Sequence, residues 1–430
     1  MPNQKQRVPS QSVEYDLLPL NDEDRVVRGR GGDEVEKCAY LVDSYGFYLT
    51  TGVMEAAAAE DAAVFDAATE FPLVVGRTSP LTDLPVALPK EYRGWVHLLQ
   101  EIAAAASRMS RLLKASRKKE KLLFRESTSS NNKQRELEIN LELQVVSVQI
   151  RQLKSVQKFL MSEIRSRLRL YGGVPCPTLR RFVWSVFLGS PVIDPRNTSR
   201  HKEAYWNLTR VPIRNDMSDV ISRDLGRTFP THCLFRDSAT IGQTSLRRVL
   251  HAYCAFDEEL GYCQGMGFIV AVLLLQAPEE EVFWMLVQLM FSGTFGMRQL
   301  YLPGFPLLQK FFVVFRGLIK NLMPVLGAHL EAEGVDVSFF AAQWFMTLFA
   351  YQFPVAVVMR IWDRFFSEGW KVIFQVAIAV LQWEHDRLCQ LPMEHILLQL
   401  KTLHEDKNIS ELLRRSMDVP ITTSDLEACL

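Results

Sequence analysis

Two short stretches of this sequence place polar side chains where they could do chemistry. The first is Ile221-Ser222-Arg223-Asp224-Leu225-Gly226-Arg227-Thr228-Phe229-Pro230. Asp224 and Arg227 stand three apart, so on a helix they share a face. A carboxylate there can grip one edge of the guanidinium and fix its direction. Ser218 is the expected N-cap of that helix, which must end near Pro230. The second is Gly261-Tyr262-Cys263-Gln264-Gly265-Met266-Gly267-Phe268, with three glycines that permit positive φ and close backbone approach. Such a turn can push one polar side chain out of a rigid frame, and Gln264 is that side chain: uncharged, with one acceptor and two donors. Each stretch alone also has a plain reading, a surface ion pair for the first and a capped interhelix turn for the second.

These residues need a frame, and the surrounding pattern supplies helices. From Gly172 to about Leu403 amphipathic runs alternate with Gly, Pro or polar breaks. One runs through Leu246, Val249, Leu250 and Tyr253 to Leu260, the expected helix 245–260 before the glycine-rich turn. Others cover Val282 to Phe291, Leu307 to Met323, Phe340 to Tyr351, Val355 to Phe366 and Val372 to Trp383, with Pro354 between the fourth and fifth. Strand-type alternation is scarce and no repeat is visible, so the class is mainly α without a solenoid. Upstream, Ile139, Leu143, Val146, Ile150, Leu153, Leu160 and Ile164 step by fours and threes, with Gln157 at the one polar seam position. This heptad implies a helix of about 37 Å. It can fold back as a hairpin on the preceding helix across 127–132, pair with a second chain, or lie on the main domain; the hairpin is favoured. The preceding helix carries Arg108, Arg111, Lys114, Arg117, Lys118, Lys119 and Lys121, a solvated face or a contact for anionic lipid.

Composition narrows the classes further. The 430 residues are 48% hydrophobic and 23% charged, ordinary for a globular chain with a sizeable core. Lys plus Arg and Asp plus Glu both number 49, so no global field holds nucleic acid. Seven scattered cysteines without a Cys-x-x-Cys pair read as reduced thiols, and the histidines form no zinc pattern. The polar N-terminus lacks the apolar core of a signal peptide, and the apolar runs Phe268 to Leu275 and Phe339 to Phe353 are too short to cross a bilayer. A cytoplasmic protein is expected, recruited peripherally to endomembranes. No phosphate-cradling Walker loop, dinucleotide fingerprint, zinc-protease helix motif or nucleophile elbow is present.

Taken together, the two stretches resemble the TBC domain, the helical GTPase-activating domain for Rab-type small GTPases. That family carries I-x-x-D-x-x-R followed by Y-x-Q, here Ile221, Asp224, Arg227 and Tyr262, Gln264. The likeness extends to Gly173-Val174-Pro175 with Leu179, Arg180 and Trp184, to Arg248-Val249-Leu250 with Ala252 and Tyr253, to Gln343-Trp344-Phe345 with Leu348 and Phe349, and to Ile361-Trp362-Asp363 with Phe365, Phe366 and Gly369. Asp43 to Phe47 and Trp95 resemble a segment that precedes the domain in some members. Gly267 departs from the pattern, since many members place Asn there, and a looser local hydrogen-bond network is expected.

The resemblance implies a mainly α fold, a TBC domain of two helical subdomains at 169–405. Before it stand a disordered tail at 1–36, a small mixed segment and linker at 37–90 and a helical hairpin or coiled-coil segment at 91–168; a tail follows at 406–430. It implies an enzyme activator in vesicle traffic that meets a Rab in its GTP form, with no GTP site, cofactor or metal of its own, because GTP and Mg²⁺ belong to the partner. Arg227 is then the arginine finger and Gln264 the glutamine finger. Asp224 aims Arg227, Ile221 belongs to the same motif, and Tyr262 with Gly265 sets the loop. Trp184, Trp344 and Trp362 are expected in the frame, Arg180 in the frame or at the partner interface, and Asp363 in a cap or a pair within the frame. A non-catalytic Rab-binding scaffold or effector is the alternative. Nucleic acid is excluded as a partner, while peripheral membrane contact and oligomerisation through the heptad stay open.

Overall fold

In a computed structural model, residues 92–127, 133–175, 177–189, 195–238, 240–403 and 409–427 are described, together with four short strand segments nearer the N-terminus. Those segments form two antiparallel pairs, β1 (Tyr15–Leu17) with β2 (Val27–Gly29) and β3 (Tyr40–Val42) with β4 (Tyr48–Thr50). The other expectations for residues 1–90 lie outside the described residues.

Helices α1 (Arg93–Ser127) and α2 (Lys133–Tyr171) pack along one another as the favoured hairpin. The heptad explains the pairing. Ile139, Val146 and Ile164 are buried and the remaining seam residues half-buried, while Leu137, Leu141 and Val145 of the same helix are exposed. Lys119 Nζ reaches Glu142 Oε2 across the hairpin at 2.8 Å. The other residues of the basic stretch, apart from Lys119, sit on the exposed face of α1. At its base the hairpin joins the main core through Trp95, Leu99, Ile102, Ile164 and Leu168, all buried.

The main body is helical throughout. Its first half holds α3 (Pro177–Leu188), α4 (Pro195–Leu208), α5 (Asn215–Leu225), α6 (Ile241–Phe256), α7 (Met266–Leu274) and α8 (Glu279–Phe291). A short α9 (Arg298–Tyr301) leads to α10 (Pro306–Leu322), α11 (Pro324–Ala332), α12 (Ser338–Met346), α13 (Val355–Glu368), α14 (Lys371–Leu388), α15 (Met393–Lys401), α16 (Ile409–Asp418) and α17 (Thr423–Glu427). One apolar core runs through both halves.

The signature residues outside the two stretches are parts of this frame. Asp363 on α13 is fully buried and receives the Val174 amide at 2.8 Å, the Trp184 indole at 2.7 Å and the Arg180 Nε at 3.0 Å. It thereby locks α3 and the turn before it onto α13. Gly173 is required there: its φ is +144°, and an added Cβ would stand 2.9 Å from Asp363 Oδ2. Arg180 is therefore structural. Arg248 of α6 grips Glu279 of α8 through two bonds of 2.8 Å, and Tyr205 joins the same carboxylate at 2.9 Å. Trp344 and Trp362 are buried, and the Trp362 indole donates to the Leu348 carbonyl at 3.0 Å. That bond holds a turn in which Leu348 and Phe349 both have positive φ.

Candidate functional site

The Arg227 stretch is shorter as a helix than its sequence suggests. The chain enters α5 extended at Arg214, and Asn215 opens the helix with Asp216 in its first turn. Ser218 is thus inside the helix, its amide bonded to the Arg214 carbonyl at 3.2 Å, and not its cap. The helix stops at Leu225, well before Pro230, because the chain tightens: the Arg227 and Thr228 amides bond three residues back, to Asp224 and Leu225, at 3.2 and 3.3 Å. Arg227 therefore stands just past the helix end, still three residues from Asp224. Phe229 then takes a left-handed φ of +47°, a strained conformation for a bulky residue. Its ring packs edge-on against Phe268 at 5.3 Å, which supports that conformation.

The helix before the second stretch, α6, spans Ile241–Phe256 rather than 245–260, so it starts and ends four residues earlier than expected. The helix ends where Asp257 turns its carboxylate to the Leu260 amide (3.3 Å), the Tyr253 hydroxyl (2.9 Å) and the Arg298 fork (2.7 and 2.9 Å). Gly261 at φ +64° and Gly265 at φ +104° bracket the loop, and Gly265 is the N-cap of α7. Between them Tyr262 is buried, Cys263 half-buried and Gln264 exposed. Burial pushes the Cys263 thiol up to about 11, so it stays protonated at neutral pH.

One carboxylate joins the two stretches. Asp224 is buried, and its Oδ2 accepts from the Tyr262 hydroxyl at 2.6 Å while its Oδ1 pairs with Arg227 Nη2. Burial, and then the hydrogen bond to Asp224, hold the Tyr262 phenol far above its usual pKa, so it remains a donor. Arg227 keeps a half-exposed side chain, 51% accessible, and a guanidinium has further donors beyond the one bonded to Asp224. Ile221 is buried on the same helix and anchors it. The structure thus links Arg227, Asp224 and Tyr262 directly, and puts Gln264 two residues beyond Tyr262 on the same loop.

Two contributors, Thr228 and Gln243, were not evident from spacing, and the seat of Gly267 was not either. Thr228 Oγ1 donates to the Asp224 carbonyl at 2.8 Å, closing the turn that carries Arg227. Buried Gln243 on α6 donates Nε2 to the Phe235 carbonyl at 2.7 Å and braces the segment after Arg227. Gly267 sits directly against this hub: a Cβ there would lie 3.1 Å from Thr228 Oγ1 and 3.4 Å from the Tyr262 hydroxyl. At Gly267, where a looser network is expected, the Tyr262 and Thr228 bonds to Asp224 are both made. Among the described residues no group of three or more His, Cys, Asp or Glu could hold a metal. No described helix is long and apolar enough to cross a membrane.

Residues 177–389 match the family model for the Rab-GTPase-TBC domain. The Caenorhabditis elegans protein named Rab GTPase-activating protein tbc-11 is 42% identical over 175 residues, 41% of this chain and 18% of that protein. Mouse TBC1 domain family member 10A is 35% identical over 273 residues, 61% of this chain and 52% of that protein. The chain therefore spans about half or less of the length of these relatives. The crystal structure of the Chlamydomonas flagellar RabGAP TBC domain aligns with a TM-score of 0.50 and 27% identity, covering 61% of this chain and 85% of that one. With the motifs, the helical frame and these likenesses in agreement, residues 177–389 form a TBC domain similar to those of Rab GTPase-activating proteins.

Proposed function

We propose that this chain accelerates GTP hydrolysis by a Rab-type GTPase in its GTP form, with Arg227 and Gln264 supplied in trans. The observation that carries this reading is the shared Asp224 carboxylate, which ties the Arg227 turn to the Tyr262–Gln264 loop while both finger side chains stay exposed.

A lone small GTPase is slow because charge on the transferring phosphoryl group is poorly neutralised and the attacking water poorly held. Arg227 answers the first need. Its guanidinium is always charged and planar, and with one edge held by Asp224 its free donors can bridge two phosphate oxygens. A lysine at this position would bring a point charge without that fork. Gln264 answers the second: its amide can accept from the water and donate toward the phosphoryl group without changing charge. Tyr262 and Gly265 fix the loop that presents it. Mg²⁺ and GTP enter with the partner, and this domain adds no metal ligand. Such an activity acts in vesicle traffic, on endomembranes where Rab proteins work.

The test is single-turnover phosphate release across a panel of GTP-loaded Rab proteins. The parent chain should accelerate at least one of them. GTP-dependent binding without any rate change would instead make it a scaffold or effector.

A further inference from the structure

The turn between α12 and α13 meets the Gln264 loop from the other half of the domain. A Cβ added to Gly265, the residue after Gln264, would stand 3.5 Å from the Thr347 methyl. Thr347 is buried and tied in both directions. Its hydroxyl donates to the Gln343 carbonyl at 2.7 Å and accepts from the Tyr351 amide at 3.2 Å. The turn therefore abuts the Tyr262–Gly265 loop and carries Tyr351 outward, 45% exposed.

Backbone strain gathers at the same place. Among the described residues, four other than glycine have a positive φ: Phe229, Phe305, Leu348 and Phe349. Phe229 stands two residues after Arg227. Leu348 and Phe349, at +48° and +65°, directly follow Thr347. Only Phe305, at the start of α10, belongs to neither segment. Bulky side chains avoid this conformation, and it persists where neighbours over-determine it, often at binding and catalytic sites. The neighbours here are explicit. The Tyr301 hydroxyl donates to the Met346 carbonyl at 2.6 Å, the Trp362 indole to the Leu348 carbonyl at 3.0 Å, and the Phe349 amide to the Trp344 carbonyl at 3.0 Å.

A ladder of rings joins the strained segments. Phe229 meets Phe268 edge-on at 5.3 Å, and Phe268 meets Tyr351 edge-on at 5.4 Å. Phe229 and Phe268 are half-buried, so the ladder ends in an open tyrosine. It starts beside Arg227 and runs over the first turn of α7, which the Gln264 loop leads into. The patch is continuous with both segments, so a protein that engages Arg227 and Gln264 covers it. A tyrosine suits such a contact, with a large, stiff apolar ring and a hydroxyl at its wet end. We propose that Tyr351, backed by Phe268 and Phe229, docks an apolar side chain of the GTPase beside its nucleotide pocket. This contact rests on the assignment of Arg227 and Gln264 as the groups that meet the GTPase. It gives the C-terminal half of the domain a share in binding the partner and none in the chemistry.

Steady-state phosphate release at varied Rab concentration reads this contact. Tyr351→Ala should raise KM for a responsive Rab about 30-fold, the effect of losing a central interface aromatic. The rate at saturation should stay at the parent's, because only uniform binding is removed. Affinity for the same Rab loaded with a non-hydrolysable GTP analogue should fall by the same factor. Tyr351→Phe, which keeps the ring, should recover most of the loss. A lower saturating rate at the parent's KM would make Tyr351 a prop for the Gln264 loop and overturn the proposal. So would a Tyr351→Ala chain with the parent's KM. Self-association of the parent that Tyr351→Ala abolishes, with KM unmoved, would give the ladder to a second copy and also overturn it. A parent that stimulates no Rab removes the finger assignment and this contact together. A parent that does stimulate one, beside an unaffected Tyr351→Ala, removes this contact alone.

Discussion

At the scale of single residues, the account turns on Asp224. Its buried carboxylate is satisfied by Tyr262 on one oxygen and by Arg227 on the other. Removing the phenol hydroxyl would leave a buried oxygen without its donor, which costs about 1–3 kcal/mol. Tyr262→Phe should thus lower unfolding free energy by that amount in urea titrations and slow Rab-stimulated hydrolysis, with Rab affinity little changed. A variant as active and stable as the parent would show that the shared carboxylate positions nothing. His232, in the turn after Arg227, offers a second test. Burial pushes its imidazole down to about 4, and its Nδ1 accepts from the Leu234 amide at 3.2 Å, a bond only the neutral ring can make. The unfolded chain binds that proton near pH 6.5, so the unfolded state holds more protons between there and pH 4. Stability from this group is complete above pH 6.5 and declines as pH falls toward 4. Urea midpoints of the parent should drop over that window more steeply than those of His232→Gln; parallel curves would remove His232 from the turn's energetics.

At the scale of elements, the chain wrote some things plainly and hid others. The heptad was readable because its period is local: Ile139, Val146 and Ile164 face inward as spaced. Ile139→Ala should therefore destabilise by about 2–5 kcal/mol, while exposed Leu141→Ala should stay within about 0.5 kcal/mol. Equal effects in thermal or urea unfolding would mean the seam is not where the hairpin holds. Helix ends were less legible. Ser218 has capping chemistry, yet α5 starts at Asn215, because the extended chain at Arg214 sets the first turn. The end of α6 depends on Asp257 and its partner Arg298, 41 residues away, which no local pattern announces. The tight seat of Gly267 is of the same kind: only the folded chain brings Thr228 and Tyr262 to it.

At the scale of the whole molecule, the frame and the proposed fingers are built by different means. Asp363 bolts the start of the domain to α13, and Glu279 joins α4, α6 and α8 through Tyr205 and Arg248. These residues carry much of the family's signature, yet they act on stability. Arg227 and Gln264 carry almost none of the core and stay at the surface. The two stretches were legible as a pair of motifs; the partners of Asp363 were not, since Val174, Arg180 and Trp184 meet it only on folding. Loss of Gln264 should leave unfolding unchanged, while loss of Arg227 should lower stability by about 1–3 kcal/mol because Asp224 Oδ1 loses its donor; loss of either proposed finger should remove activity. The most direct measurement is single-turnover phosphate release from a responsive Rab with the parent chain, Arg227→Ala and Gln264→Ala at a temperature where all three are folded. The account predicts a loss of about 10³ to 10⁵-fold in the stimulated rate for Arg227→Ala, and near-complete loss for Gln264→Ala. Two variants that still turn over the Rab at the parent's rate would contradict it.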